Sequence, residues 1–247
     1  PRLRAACTLE LAGAFRVLAV AEALDLPRAP RPGTSGCPPA TGGPTPADPR
    51  ERAAALMCWA LDEEFERATE RIFLTLAALH PDAVGLTPEP ARRAVVIDAL
   101  GNQLDPALSR GLLRLFSGHR REDTLRGALG MLKPPARSST EWLLEQLGAE
   151  DPWTVVAAAT WVGAHEVLEA TPQILGLLDR PRAILREAAL ETLERLLPVE
   201  ELPRVVRPLL WDESAAIRER VDRILGRIVD AAELRHASGT VERVFSC

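Results

Sequence analysis

Two stretches of this chain superimpose at an offset of 32 residues. LLDRPRAILREAALETL (Leu177–Leu193) lies over LLWDESAAIRERVDRIL (Leu209–Leu225). Leu177 and Leu178 fall on Leu209 and Leu210, Leu185-Arg186 on Ile217-Arg218, Glu187 on Glu219, and Leu193 on Leu225. A more degenerate copy opens at DPWTVVAAATWVG (Asp151–Gly163), whose alanine run suits close helix packing. A repeat of this period is one supersecondary unit that cannot bury its apolar face alone, so it stacks on its neighbours. Helices of about 10–17 residues joined by short links fit such a unit as an antiparallel pair. The expected fold class is therefore all-α, an α-solenoid of antiparallel helix pairs.

The rest of the chain carries the same preference. It is rich in Ala, Leu, Glu and Arg, which favour helix, and it has no Tyr and only 4% aromatics, the residues that favour strands. Residues 1–26 predict an N-terminal helix, with Leu11, Phe15 and Leu18 at helical spacing. Residues 27–49 form a Pro/Gly-rich flexible linker, since 12 of these 23 residues are Pro or Gly. Residues 50–150 are degenerate helical repeats, 151–230 the clear ones, and 231–247 a C-terminal tail. Asp48-Pro49, Thr87-Pro88, Asp105-Pro106, Asp151-Pro152 and Thr171-Pro172 each place a capping residue before a proline, a helix-start signal. Helix stops are expected at His80-Pro81, Ser117-Gly118, Lys133-Pro134-Pro135, Gly148 and Leu197-Pro198.

The repeated residues resemble HEAT repeats, armadillo-like helical units. The resemblance implies that Leu185, Ala189, Ile217 and Val221 are core, that Asp179 and Asp212 open the tight turns, and that Arg186 and Arg218 are ladder residues bonding a turn acid or the carbonyls of a neighbour. A second resemblance covers residues 50–117. ALDEEFERATERIFLTLAALHP (Ala60–Pro81) and the Leu-x-Asn-x-Leu-Asp-Pro segment at Leu100–Pro106 are similar to the HEAT-type soluble region of bacterial ATP/ADP-translocase-like membrane proteins, which is often followed by a cyclic-nucleotide-binding domain. The short connection from Pro81 to Thr87 and Gly101 depart from that pattern. This resemblance implies a non-enzymatic scaffold or regulatory module on the cytoplasmic face of a membrane protein. The alternatives are a freestanding accessory or chaperone-like repeat protein of the lyase-related type and, more remotely, a HEAT-like DNA-repair glycosylase.

No catalytic, cofactor or metal site is expected. His80, His119, His165 and His236 stand apart from one another, and Cys7, Cys37, Cys58 and Cys247 show no zinc-ligand spacing. Neither a phosphate-cradling glycine loop nor a nucleophile elbow occurs. Ser138, Ser139 and Thr140 before Glu141 read as a helix cap. A net charge of −5 argues against a nucleic-acid partner, and the arginines of the repeats alternate with acids, Glu191 with Arg195 and Glu219 with Arg223 at i,i+4. The partner is expected to be a protein or the chain's own membrane domain. The candidate contact residues are Trp153, Trp211, Arg186 and Arg218. The last helix is expected to end near Val229, with Ser238-Gly239 breaking it and Thr240–Phe245 resembling the lead-in to a cyclic-nucleotide-binding domain.

Overall fold

The computed structural model describes residues 2–26, 48–81, 92–116 and 137–244, with side chains to 230. Every regular element among them is helical. The expected 27–49 linker falls outside this set up to residue 47, as do Thr87-Pro88, the stops at Ser117-Gly118 and Lys133-Pro135, and His119. No helix among the described residues is long and apolar enough to cross a membrane. The chain divides into two compact units, 1–146 and 147–247.

The first unit holds α1 (Arg2–Ala23), α2 (Pro49–Leu79), α3 (Arg93–Ala99), α4 (Pro106–Phe116) and nearly all of α5 (Ser139–Leu147). The start signals work as chemistry. The Asp48 carboxylate accepts from the Arg50 N–H at 2.9 Å, and Pro49 occupies the first helical position, where no N–H is needed. Asp105 caps α4 through the N–H groups of Ala107 and Leu108, at 2.9 and 3.3 Å. Ser138 and Glu141 form a reciprocal capping box on α5. Its bonds, led by the Ser138 N–H, hold the Glu141 carboxyl below the usual range.

Helical spacing lines one face of each helix with apolar side chains, and these meet in a single cluster. Cys7, Leu11 and Phe15 of α1 join Ile72, Phe73 and Leu76 of α2, Ile97 of α3, and Leu108 and Leu112 of α4. Each such side chain contributes about 1.5–3 kcal/mol when fully buried. Arg93 is buried beside them. It forms a two-pronged pair with Glu66 at 2.9 and 3.3 Å and lies 5.9 Å from the Phe73 ring centroid.

The second unit holds α6 (Pro152–His165), α7 (Thr171–Leu177), α8 (Ala183–Leu196), α9 (Leu202–Val206) and α10 (Ala215–Val244), with 3-10 turns at Leu168–Ala170 and Arg207–Trp211. Helix α8 packs against α6, α7, α9 and α10. Leu185, Ala189, Ile217 and Val221 are all buried, as the repeat implies. The alanine run lets α6 approach α8 closely: a Cβ on Gly163 would stand 3.3 Å from the Thr192 Cα, and the Thr192 hydroxyl donates to the Ala159 carbonyl at 2.8 Å.

Two sequence expectations change here. Thr171 is not a cap. It is the first residue of α7, and its hydroxyl donates back to the Leu168 carbonyl at 2.7 Å, extending the preceding 3-10 turn. The last helix does not stop near Val229 but runs through Ser238 and Gly239 to Val244. A glycine inside a helix costs only about 1 kcal/mol relative to alanine, and without proline nothing in that segment forbids the helical backbone.

Candidate functional site

The three longer helices of the second unit, α6, α8 and α10, begin at Pro152, Ala183 and Ala215, each after a short turn. Arg186 and Arg218 are the fourth residues of α8 and α10. Each sends its Nη1 group back over its own turn. Arg186 donates to the carbonyls of Arg180 and Pro181 at 2.7 and 2.8 Å. Arg218 donates to the carbonyls of Asp212 and Glu213, six and five residues back in the same way. Turn carbonyls with no ladder partner are thereby satisfied.

The Arg186 fork goes further. Its Nε and Nη2 groups grip both oxygens of Asp212 at 2.7 and 2.8 Å, joining the turn before α8 to the turn before α10. The pair is desolvated, with side-chain exposures of 10% and 6%. Asp212 also accepts from the Ser214 N–H at 2.8 Å. The Arg186 hydrogen bonds hold the Asp212 carboxyl below its ordinary value, and the same bonds push the Arg186 guanidinium up. Of the two turn acids implied by the repeat, Asp212 meets Arg186 and Asp179 does not.

The first turn lacks this device. The residue equivalent to Arg186 in α6 is Val155, and the residue equivalent to Asp212 before α8 is Arg180. Asp151 there caps α6, accepting from the Thr154 N–H and hydroxyl at 3.1 Å each. A cavity of about 210 Å³ opens at this place, lined by Ala149, Glu150, Val155, Arg180, Arg182 and Leu185 among others. The cavity and the missing pair coincide: a turn contact without the arginine clamp leaves space.

The four candidate contact residues separate on this geometry. Arg186 is consumed inside the fold, with four of its five N–H groups engaged. Arg218 is half-buried, its Nη1 bound to its own turn. Trp153, the second residue of α6, is 45% exposed, and Trp211, which directly precedes Asp212, is 90% exposed. Trp142 is core, with the Arg137 guanidinium 4.9 Å from its ring centroid. The Arg93–Glu66 pair is not legible in the sequence, because its members are 27 residues apart and neither lies in the clearly repeated stretch 151–230.

The acid–base alternation along the repeats is used between helices as well as within them. Glu191 pairs with Arg195 at 3.3 Å, but Glu219 does not pair with Arg223. Instead Arg220 reaches Glu194 at 2.8 Å and Glu191 at 3.7 Å, and Arg227 also meets Glu194. These arginines of α10 are thus neutralised by α8.

Among the described residues no group of three or more His, Cys, Asp or Glu side chains could hold a metal ion. Burial, with a smaller push from Glu10, raises the Cys7 thiol to about 11, which keeps it in the poorly nucleophilic protonated form. His165 is stacked on Trp161, ring centroids 4.2 Å apart. Comparison with known protein families, curated proteins and solved structures finds no match to this chain.

Proposed function

We propose that this chain is a non-enzymatic interaction module, a HEAT-like α-solenoid of helix pairs that offers its turn edge to a protein partner. One observation carries the reading. Arg186 and Arg218, 32 residues apart, cap their turns with the same bonding pattern, and Arg186 ties one turn to the next. A stack built this way extends by adding like units and presents their turns as one continuous edge. Trp211 on that edge is the most exposed large apolar side chain of the described residues, and exposed Trp beside Arg is the composition of binding hot spots.

The setting we propose is the cytoplasmic side of a translocase-like membrane protein, with the module bound to that protein's membrane domain. This rests on the resemblance of residues 50–117, over which α2, α3 and α4 are helical. The test is site-specific photo-crosslinking in the source cells. A photoreactive residue replacing Trp211 should give a discrete crosslinked product, whereas one replacing Val95, 68% exposed in the first unit, should not. Absence of any product from Trp211 and Trp153 overturns the reading.

A further inference from the structure

We propose that Trp211 and Arg218 together form a docking site for an acidic segment of a partner protein, in which a carboxylate takes the Nε–Nη2 edge of Arg218 and an adjoining apolar side chain covers the Trp211 indole. The proposal rests on the interaction-module reading and names the chemistry of its partner.

The chain contains its own template. Arg186 is oriented by two turn carbonyls, and the edge left over takes the Asp212 carboxylate with two bonds. Arg218 is oriented by the two equivalent carbonyls of the next turn. Among the described residues, no carboxylate forms a hydrogen bond or ion pair with Arg218; the Asp212 carboxylate is close enough to feel its charge but is held by Arg186. Arginine presents its donors as a rigid planar fork that matches a carboxylate with two parallel bonds, and a fork already held in place loses little entropy on binding. Because Arg218 bonds the Asp212 carbonyl, its guanidinium lies at the same turn as Trp211, one residue earlier. A residue pair that places an acid next to an apolar group fits both at once. The internal pair supplies the template for the acid alone: Asp179 stands on the Arg186 turn where Trp211 stands on the Arg218 turn, so the apolar contact is particular to this second turn.

The surroundings select the kind of anion. Asp212 is already neutralised by Arg186, while Glu213 and Glu219 lie exposed on the same turn and on the first turns of α10. Their negative charge penalises a doubly charged phosphate more than a single carboxylate, so an acidic side chain is favoured over a phosphorylated one.

The probe is a blocked, fluorescein-labelled peptide of the sequence Leu-Leu-Trp-Asp-Glu-Ser, the segment Leu209–Ser214, which supplies the acid to Arg186 within the fold. It is titrated against the full chain by fluorescence anisotropy. Binding is expected, weakened at least about tenfold when Asn and Gln replace the two acids, which corresponds to about 1.4 kcal/mol. Arg218→Lys should weaken it about fivefold or more, since lysine keeps the charge but loses the fork. Trp211→Ser should weaken it at least about threefold, and this substitution, at a site 90% exposed, leaves the packing untouched. Equal binding of the uncharged peptide, indifference to both substitutions, failure of the peptide to bind, or preference for a peptide with phosphoserine at the acid position each overturns the proposal. If crosslinking through Trp211 persists while the peptide test fails, the acidic chemistry is wrong and the interaction-module reading stands. If both fail, the reading falls as well.

Discussion

Both units bury large apolar side chains and each holds a two-pronged ion pair, but they differ in their closest helix contact and in what the pair joins. In the first, Phe15, Ile72, Phe73, Leu76 and Leu112 fill the space between helices with large side chains. In the second, α6 and α8 touch through Ala159, Gly163 and Thr192, with a hydroxyl–carbonyl bond at the contact, and the turns are held in step by the Arg186–Asp212 pair. A core of large apolar groups tolerates a change of shape if its volume is kept. A desolvated charge pair has one acceptable partner and one geometry, so it fixes register and is intolerant of exchange. The Arg186–Asp212 pair joins two successive turns and so aligns them, whereas the Arg93–Glu66 pair of the first unit joins α3 to α2.

The largest expected effects separate the two arrangements directly. Phe73→Ala and Asp212→Ala should each cost about 3–5 kcal/mol, the first by opening a cavity and the second by stranding a buried guanidinium. Conservative exchanges should then diverge. Phe73→Leu should cost about 1 kcal/mol, because most of the apolar volume remains. Asp212→Asn should still cost about 3 kcal/mol, because the amide has neither the charge nor two acceptor oxygens for the fork. Urea unfolding of the full chain, followed by circular dichroism, measures all four. Similar costs for Phe73→Leu and Asp212→Asn would erase the distinction.

The second unit was the more legible in the sequence, for the same physical reason. The turn-capping arginine recurs with the register, so Arg186 and Arg218 stand out at a constant offset and their bonds to turn carbonyls are expected from it; the bond to a turn acid is made by Arg186. Caps were equally readable at Asp48, Asp105 and Asp151, because a cap acts within three residues of itself. What depends on distant packing was not readable. Arg93 finds Glu66 only after α2 and α3 have docked. The cavity beside Val155 lies at a turn contact where no arginine stands, and an absence carries no local signal. Ser238-Gly239 failed as a boundary marker because a local tendency worth about 1 kcal/mol yields to the helix around it, whereas Thr171 does mark the start of α7, one place inside the expected cap.

The charge pair should also give the second unit a pH signature. Asp212 has its folded pKa depressed, so its contribution to stability is fully present above the ordinary aspartate value of 3.8 and is lost as pH falls through the lower folded value. The stability difference between the natural chain and Asp212→Asn should therefore be constant from pH 5 to 7 and shrink steadily below about pH 4. Phe73→Leu carries no charge, so its cost should stay flat over the same range. A difference for Asp212→Asn that does not change with pH would mean that the ion pair contributes nothing beyond its shape.

The smallest effects offer the sharpest contrast, because they differ in sign. Each unit buries a threonine in the middle of a long helix: Thr69 is 0% exposed in α2 and Thr192 is 1% exposed in α8. The Thr192 hydroxyl donates to the Ala159 carbonyl across the α6–α8 contact. Among the described residues the Thr69 hydroxyl has no hydrogen-bond partner. Threonine and valine have nearly the same shape, so the exchange tests the hydroxyl alone. Thr192→Val removes a bond and presses a methyl against a carbonyl oxygen, with Gly163 too close to allow retreat. The Ala159 carbonyl keeps its own helical bond, so the loss should be limited to about 1 kcal/mol. Thr69→Val removes a polar group buried without compensation and should stabilise the chain by about 1 kcal/mol. Measured by the same urea titration, the two midpoints should move in opposite directions. If both fall, the Thr69 hydroxyl has a bond in solution, and α2 is held by a buried hydroxyl contact as α8 is.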